Sequence, residues 1–378
     1  STLMRSSAAS DVYKRQIYEL PFTRRCHPDY DAAGGVPALK EVQFSLTSHR
    51  GCFGHCHFCA ITSHQGPIVQ CRSHDSLIRE AKRMTTLPGF KGYIHDVGGP
   101  TANFRHPSCQ KQLTKGVCRN RHCIGSEVCP NLDTSHEDYM TLLREIRSIK
   151  GIKKVFVRSG LRYDYVLADH NKKFVEELCQ YHISGQLKIA PEHVVKHVTD
   201  LMGKAGIEDF LMFKKWFDEA NHKLGKKQYL VPYLMSSHPG CTLHDAIALA
   251  EFLRDMHMQP EQVQDFIPTP GSLSTAMYYT GINPLTGKAV YVARRPEEKQ
   301  MQRALMQYKN PANYDIVYKA LCIARRRDLI GYGPKCLIPP RRTRTNHGEG
   351  THRNGMTSGR GRNRNSRRRG VKPSARCR

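Results

Sequence analysis

Between residues 42 and 267, six strand-like segments alternate with helix-like ones, and no other feature constrains the fold as tightly. Short runs rich in β-branched and aromatic residues at 42–47, 93–97, 154–158, 187–190, 229–235 and 263–267 predict strands. Helical spacing of apolar residues predicts helices over 75–84, 136–149, 172–181, 207–224 and 243–256. Strand-then-helix repeats of this kind argue an α/β protein with a parallel sheet or barrel. The pattern alone does not separate a doubly wound sheet from a barrel. In either arrangement, functional groups gather just after the carboxyl ends of the strands. Further helical text at 297–307 and 314–325 predicts a small C-terminal helical cap.

The two ends fall outside this pattern. Residues 341–378 hold 13 Lys and Arg against one acid, Glu349, a net +12 of the +26 carried by 378 residues. That segment is nearly free of large apolar groups and rich in Gly, Asn and Ser. It cannot bury enough surface to offset its ordering entropy, so a disordered basic tail is expected. Such a tail suits a non-specific nucleic-acid tether acting through phosphate charge, or a solubilising extension. Residues 1–16 show no helix or strand period and resemble a non-native leader, which makes the chain read as a fragment. Residues 17–40, broken by Pro21, Pro28, Gly34, Gly35 and Pro37, read as a linker. The core is then expected at 41–275, with a Cys-rich insertion at 104–131 and the cap at 276–340. No apolar run approaches 18 residues, so no membrane span or membrane partner is expected. Without a secretory leader, the 14 Cys read as reduced thiols or metal ligands of a cytoplasmic protein, not as disulfides.

The chemistry concentrates after the first strand, in SHRGCFGHCHFCA. Cys52, Cys56 and Cys59 stand at Cys-x3-Cys-x2-Cys spacing on one tight loop. Three thiolates there can hold three irons of a cubane and leave the fourth iron open. Gly51 and Gly54 let the backbone wrap closely. Structural zinc is the competing reading, with His55 or His57 completing the set, yet no second close Cys pair follows at finger spacing. A second group, Cys109, Cys118, Cys123 and Cys129 with His122 interleaved, has spacing x8, x4, x5. Zinc or an auxiliary iron–sulfur cluster would staple this insertion; free thiols are the alternative.

CFGHCHFC resembles the CxxxCxxC motif of the radical S-adenosylmethionine (SAM) enzymes, including aromatic Phe58 before the last Cys. GGPTAN (98–103), CxxxxxCPN ending at Asn131, SGLRYD (159–164), LKIAPEH (187–193) and MYYTGINP (277–284) resemble the YgiQ-type members of that family. The resemblance implies a partial (βα)6 TIM-like barrel holding a [4Fe-4S] cluster on Cys52, Cys56 and Cys59. It implies that the open iron chelates SAM, whose reductive cleavage gives a 5'-deoxyadenosyl radical that acts on a substrate. It also implies a large N-terminal domain in full members. Gly98 and Gly99 match the Gly-Gly motif that contacts the SAM methionyl amine; Pro100 stands where an acidic residue is frequent.

Other strand ends carry further candidates. Glycines after a strand let a ligand approach the backbone, though an ordinary turn would also use them. Ser159, Arg162 and Asp164 follow strand three. Arg162 could fork onto the SAM carboxylate or form a structural pair with Asp164. Glu192 follows strand four and could accept ribose hydroxyls, or sit at a helix N-terminus facing the dipole. His193 and His197, at i, i+4, could share a helix face toward zinc. Residues 236–240 and 268–270 could line an adenine slot or a substrate mouth, or be plain loops. The reading is a radical SAM iron–sulfur enzyme, served by an electron donor, whose substrate is unidentified. The alternative is a zinc-stabilised nucleic-acid-binding protein, although aromatic stacking motifs of an RNA-recognition fold are absent.

Overall fold

The computed structural model describes residues 16–119 and 121–341. The expectations for a leader at 1–16 and a basic tail at 341–378 lie outside the described residues, apart from Gln16 and Arg341.

Six extended stretches run parallel and follow each other in chain order. The first is β1 (Ser45–Thr47). The segment after it makes β2 (His49–Arg50) and, beyond the Cys loop, β3 (Gln70–Cys71). The second stretch comprises β4 (Tyr93–Ile94) and β5 (Asp96–Gly98). The others contain β6 (Lys154–Val155), β7 (Gln186–Glu192), β8 (Tyr229–Ser236) and β9 (Gln264–Asp265). Leu46 pairs with Val97, and Ile94 with Val155. The Val97 amide also donates to Phe156 O at 3.1 Å, so the second stretch lies between the first and third. A parallel bridge, Leu161 to Ile189, continues the array to β7. Leu187 pairs with Leu230, and Met235 with Gln264. Among the described residues no ladder joins β9 to β1, so the array is open.

The helices, in chain order, are α1 (Leu39–Val42), α2 (Ile61–Gln65), α3 (His74–Met84), α4 (Gln110–Lys115), α5 (Glu137–Arg147), α6 (Tyr163–Ala168) and α7 (Lys172–Glu177). They continue with α8 (Lys196–Met202), α9 (Ile207–Lys223), α10 (Leu243–Asp255), α11 (Leu273–Thr280), α12 (Pro296–Met306) and α13 (Tyr314–Ile323). Each long crossover helix lays an apolar stripe on the strands. In α3 the stripe is Leu77, Ala81 and Met84, and Ser73 caps the start by accepting from the Ser76 amide. In α9 it is Phe210, Phe213, Phe217 and Ala220. Helix α10 begins with a capping box made by Thr242 and Asp245. The strands supply Leu46, Ile94, Val97, Val155, Leu187 and Ile189, all buried. A second apolar cluster joins α10, α12 and α13.

Several boundaries differ from expectation. Val42 is 60% exposed and ends α1 instead of opening a strand; pairing starts at Ser45, beside buried Phe44 and Leu46. The segment 17–40, read as a linker, holds a short 3-10 helix at Pro28–Ala33 that His27 caps. The helix expected at 172–181 ends at Glu177 and widens into a π turn over Leu178–His182. Short helices α2, α6, α8 and α11 were not expected; each is eight residues or fewer and too short to show a period.

Phe213 is fully buried between α9 and the strands. Phe213→Ala is expected to lower unfolding free energy by ~3–5 kcal/mol, read from the urea midpoint. A loss under ~1 kcal/mol would contradict this packing.

Candidate metal centre

The loop that carries Cys52, Cys56 and Cys59 is closed at its base. Antiparallel pairing of His49 with Cys71 and Arg50 with Gln70 draws its two ends together. Gly51 turns the chain at φ +87°, where a Cβ would strike the Ile68 carbonyl. Inside the loop, the Cys52 amide donates to Gly66 O at 3.0 Å and the Cys59 amide to Cys56 O at 3.0 Å. Thr62 at the start of α2 donates its hydroxyl to Cys52 O at 3.1 Å.

His57 ties this loop to distant elements. Its amide donates to Met202 O at 2.8 Å, and its Nδ1 lies 3.0 Å from Leu201 O, both on α8. Its own carbonyl accepts from the Ser274 amide of α11 at 2.9 Å. Ser274 in turn lies 2.7 Å from Nε2 of His238, which sits beyond the end of β8.

The three thiols are half-buried and free. Burial pushes the Cys52 and Cys59 thiols up, and the neighbouring sulfurs push the same way. The Gly54 amide and the Arg162 charge oppose this at Cys52, and the Ile61 amide does so at Cys59. The Gly54 amide donates to Cys52 Sγ at 3.4 Å, and Arg162 Nη1 donates to Cys56 Sγ at 3.2 Å. Gly54 makes room for both, since a Cβ there would lie 2.7 Å from Arg162 Nη1 and 3.3 Å from Cys52 Sγ.

Arg162 is itself fixed on every side. Its Nε and Nη2 donate to Asp164 at 2.9 and 2.6 Å, in a bidentate pair buried from water. Burial opposes its charge, but Asp164 and the Cys56 sulfur hold it firmly protonated. Asp164, despite burial, is kept below the usual carboxylate range by Arg162. Asn103 clamps the Arg162 backbone both ways: its Oδ1 accepts from the Arg162 amide at 3.0 Å, and its Nδ2 donates to the carbonyl at 3.2 Å. The other Nδ2 proton meets His136 Nε2 at 3.0 Å, and His136 Nδ1 meets Asp169 at 2.9 Å. Of the two readings for Arg162, the geometry therefore shows the Asp164 pair, plus a sulfur contact that the sequence did not suggest. Asn103 lay in a motif already noted, but its role as a clamp was missed; His136 and Asp169 carried no signal at all.

The remaining candidates fall at the strand ends. Ser159 donates its hydroxyl and its amide to Asp96, the amide at 3.0 Å. A Cβ on Gly98 would strike the Ser159 side chain, and one on Gly99 would lie 2.7 Å from the His49 ring. Both glycines are thus needed for packing; Pro100 shares a bend with Gly99 just beyond β5. Glu192 ends β7 at a register shift, with φ +66°. It is buried, and burial raises its carboxyl against the pull of Lys204 and Arg162. The helix-dipole reading for Glu192 is not met, because α8 starts at Lys196 with Val195 as its cap. For the same reason His193 and His197 do not share a helix face. His193 Nε2 lies 3.5 Å from Cys241 Sγ, while His197 Nε2 faces Asp245 at 3.2 Å. Nearby, His57 Nε2, Tyr163 Oη and Ser237 Oγ are buried and have no hydrogen-bond partner among the described residues. Buried polar atoms of that kind call for an explanation such as a ligand.

Cys109, Cys118, Cys123 and Cys129 line one cavity of about 630 Å³ together with His122. Among the described residues, no three His, Cys, Asp or Glu side chains converge to hold a single metal ion. A cubane demands something different, since each thiolate ligates its own iron.

Comparison with known proteins gives the following. A family described as a domain of unknown function, DUF3362, matches residues 261–377. A UPF0313 protein of Clostridium perfringens strain 13 is 56% identical over 350 residues, covering 93% of this chain and 52% of that protein. A UPF0313 protein of Clostridium botulinum strain 657 is 56% identical over 324 residues, covering 86% of this chain and 51% of that protein. The chain thus spans about half the length of the curated relatives it matches. Two solved structures of the radical SAM methyltransferase TsrM from Kitasatospora setae each align at a TM-score of 0.39. One, with tryptophan and aza-SAM bound, is 14% identical and covers 62% of this chain and 37% of that one. The other, with cobalamin and a [4Fe-4S] cluster bound, is 11% identical and covers 76% and 63%. No helix among the described residues is long and apolar enough to cross a membrane.

Gly54→Ala should force the Arg162 guanidinium off Cys56. The expected cost is ~1–3 kcal/mol of stability, with less iron retained after anaerobic reconstitution. Wild-type stability and iron content in this variant would refute the close approach of the three groups.

Proposed function

The chain belongs to the UPF0313 family of YgiQ-type proteins, and from that premise we propose that it is the core of a radical SAM iron–sulfur enzyme. The observation that carries this reading is the site around the first loop. Three thiols at Cys-x3-Cys-x2-Cys spacing follow β1, their loop is tied down from α8 and α11, and a buried cation donates to one sulfur. The donor set suits a [4Fe-4S] cluster held by Cys52, Cys56 and Cys59. When bound and reduced by one electron from a donor, such a cluster supplies the cleavage of SAM to methionine and a 5'-deoxyadenosyl radical. The open parallel array, in our reading, is a six-unit partial barrel with the site at its carboxyl ends.

The residues around the loop then have distinct tasks. Arg162 and the Gly54 amide stabilise negative charge on sulfur, the former as a charge-assisted donor. Asp164 and Asn103 keep the guanidinium in place. With its fork already on Asp164, Arg162 serves the cluster rather than a ligand carboxylate. The backbone of Gly98, Gly99 and Pro100, and the Ser159 hydroxyl, border the ligand. The buried Glu192 carboxylate accepts from ribose hydroxyls. Tyr163 Oη and Ser237 Oγ, which have no partner among the described residues, fit a polar ligand of this kind. The cap helices α12 and α13 help exclude water from a reactive intermediate. The described cysteines are all free thiols, which suits a reducing, cytoplasmic compartment.

Anaerobic reconstitution with iron and sulfide should give a brown protein that cleaves SAM on reduction. Cys56→Ala should abolish colour from this site and cleavage together. Cleavage retained in that variant would refute the ligand assignment, and a colourless wild-type protein holding only zinc would sink the radical reading.

A further inference from the structure

The four cysteines of the insertion need an explanation of their own. They are not core residues: all four are only half-buried and line the cavity of about 630 Å³ described above. None is in a disulfide. Cys109, Cys123 and Cys129 take part in the insertion's backbone hydrogen bonds. The Gln112 amide donates to Cys109 O at 3.0 Å, the Cys129 amide to Cys123 O at 3.0 Å, and the Leu132 amide to Cys129 O at 2.9 Å. Regular structure between 104 and 131 is confined, among the described residues, to α4. A segment with so little secondary structure gains order from a central staple.

The four thiols share that cavity. Hydrogen-bonding groups already meet two of them. Lys111 Nζ lies 3.3 Å from Cys118 Sγ, and Ser108 Oγ lies 3.1 Å from Cys123 Sγ. A hydroxyl can turn its proton toward a sulfur that has lost its own.

Zinc and iron–sulfur clusters ask for different arrangements. Four thiolates on zinc must all lie about 2.3 Å from one centre. No three candidate ligands among the described residues converge in that way. A cubane accepts four thiolates spread around a larger body, each on a separate iron. The insertion also packs directly on the first loop. Cys123 and Cys129 pack on the apolar group of Phe53, Phe104, Ile124, Leu132 and Tyr165, and so does Cys52 of the first loop. His122 stacks on His55 with ring centroids 5.0 Å apart.

We propose that Cys109, Cys118, Cys123 and Cys129 bind a second, fully ligated [4Fe-4S] cluster. This site does not rest on the radical reading of the first one. Lys111 and Ser108 act as its outer hydrogen-bond donors.

The test is metal and sulfide analysis of the 378-residue chain after anaerobic reconstitution, with Mössbauer spectra of the bound iron. Wild type should hold about eight irons, as two cubanes require. The triple variant Cys52→Ala, Cys56→Ala, Cys59→Ala should keep about four irons with a cubane spectrum and lose SAM cleavage. The variant Cys118→Ser, Cys123→Ser should lose the second set while the first remains, and far-UV circular dichroism should match wild type. Zinc in place of iron in the triple variant, or no metal there, would overturn the second cluster. So would undiminished iron in the double variant. Two clusters without SAM cleavage in wild type would defeat the radical reading and leave this site standing.

Discussion

The hydrogen bonds on His57 hold the arrangement together. A nineteen-residue excursion between β2 and β3 has no sheet of its own to rest on. Its position depends on what reaches it from elsewhere. The α8 end takes the His57 amide and ring, and the α11 start donates to the His57 carbonyl. These contacts join residues more than a hundred positions apart, so the loop's position rests on α8 and α11. Cys56 and Cys59 flank the clamped residue and inherit its placement. A metal centre built on such a loop is preorganised by the fold rather than by the metal alone.

The second constraint is buried charge. Arg162 and Asp164 sit out of water as a bidentate pair, with Glu192 and Lys204 also buried nearby. Buried ions of this kind are retained where geometry and hydrogen bonds compensate their desolvation. Here Asn103 satisfies the backbone on both sides of Arg162, leaving the guanidinium to Asp164 and Cys56. That contact holds a positive charge at a sulfur. The same charge would offset the negative charge that thiolates bring to an iron–sulfur cluster.

How much of this was legible in the sequence follows from the range of each interaction. The strands around Leu46, Val97 and Ile189 and the long helices α3, α9 and α10 were readable, because burial imprints a period on every residue they contain. The three-cysteine loop was readable because its spacing is local. The bonds that place it were not. Nothing about Ser274 or Leu201 marks them as partners of His57, and Asn103 reads as one polar residue among several. Glu192 showed the opposite failure. Its neighbours suggested a helix start, but a bulge at the end of β7 and a positive φ put it in the buried interior instead. Backbone irregularity of that kind has no periodic signature, and it concentrates where the chain approaches a site.

The insertion at 104–131 is part of the same physical unit as the first loop. Phe53, between Cys52 and Gly54, stacks on Phe104 at the insertion's start with ring centroids 3.7 Å apart. Tyr165 meets both rings edge-on, and its hydroxyl donates to Asp133 O at 2.8 Å, two residues past the insertion's end. One aromatic group therefore holds the first loop, both ends of the insertion and the helix that follows Arg162. Whatever orders the insertion also orders Phe53 and so limits the freedom of Cys52. Conversely, a loosened insertion would expose Phe53 and Ile124 together. The two cysteine groups are thus in contact through apolar packing, before any metal enters, while each keeps its own set of ligands.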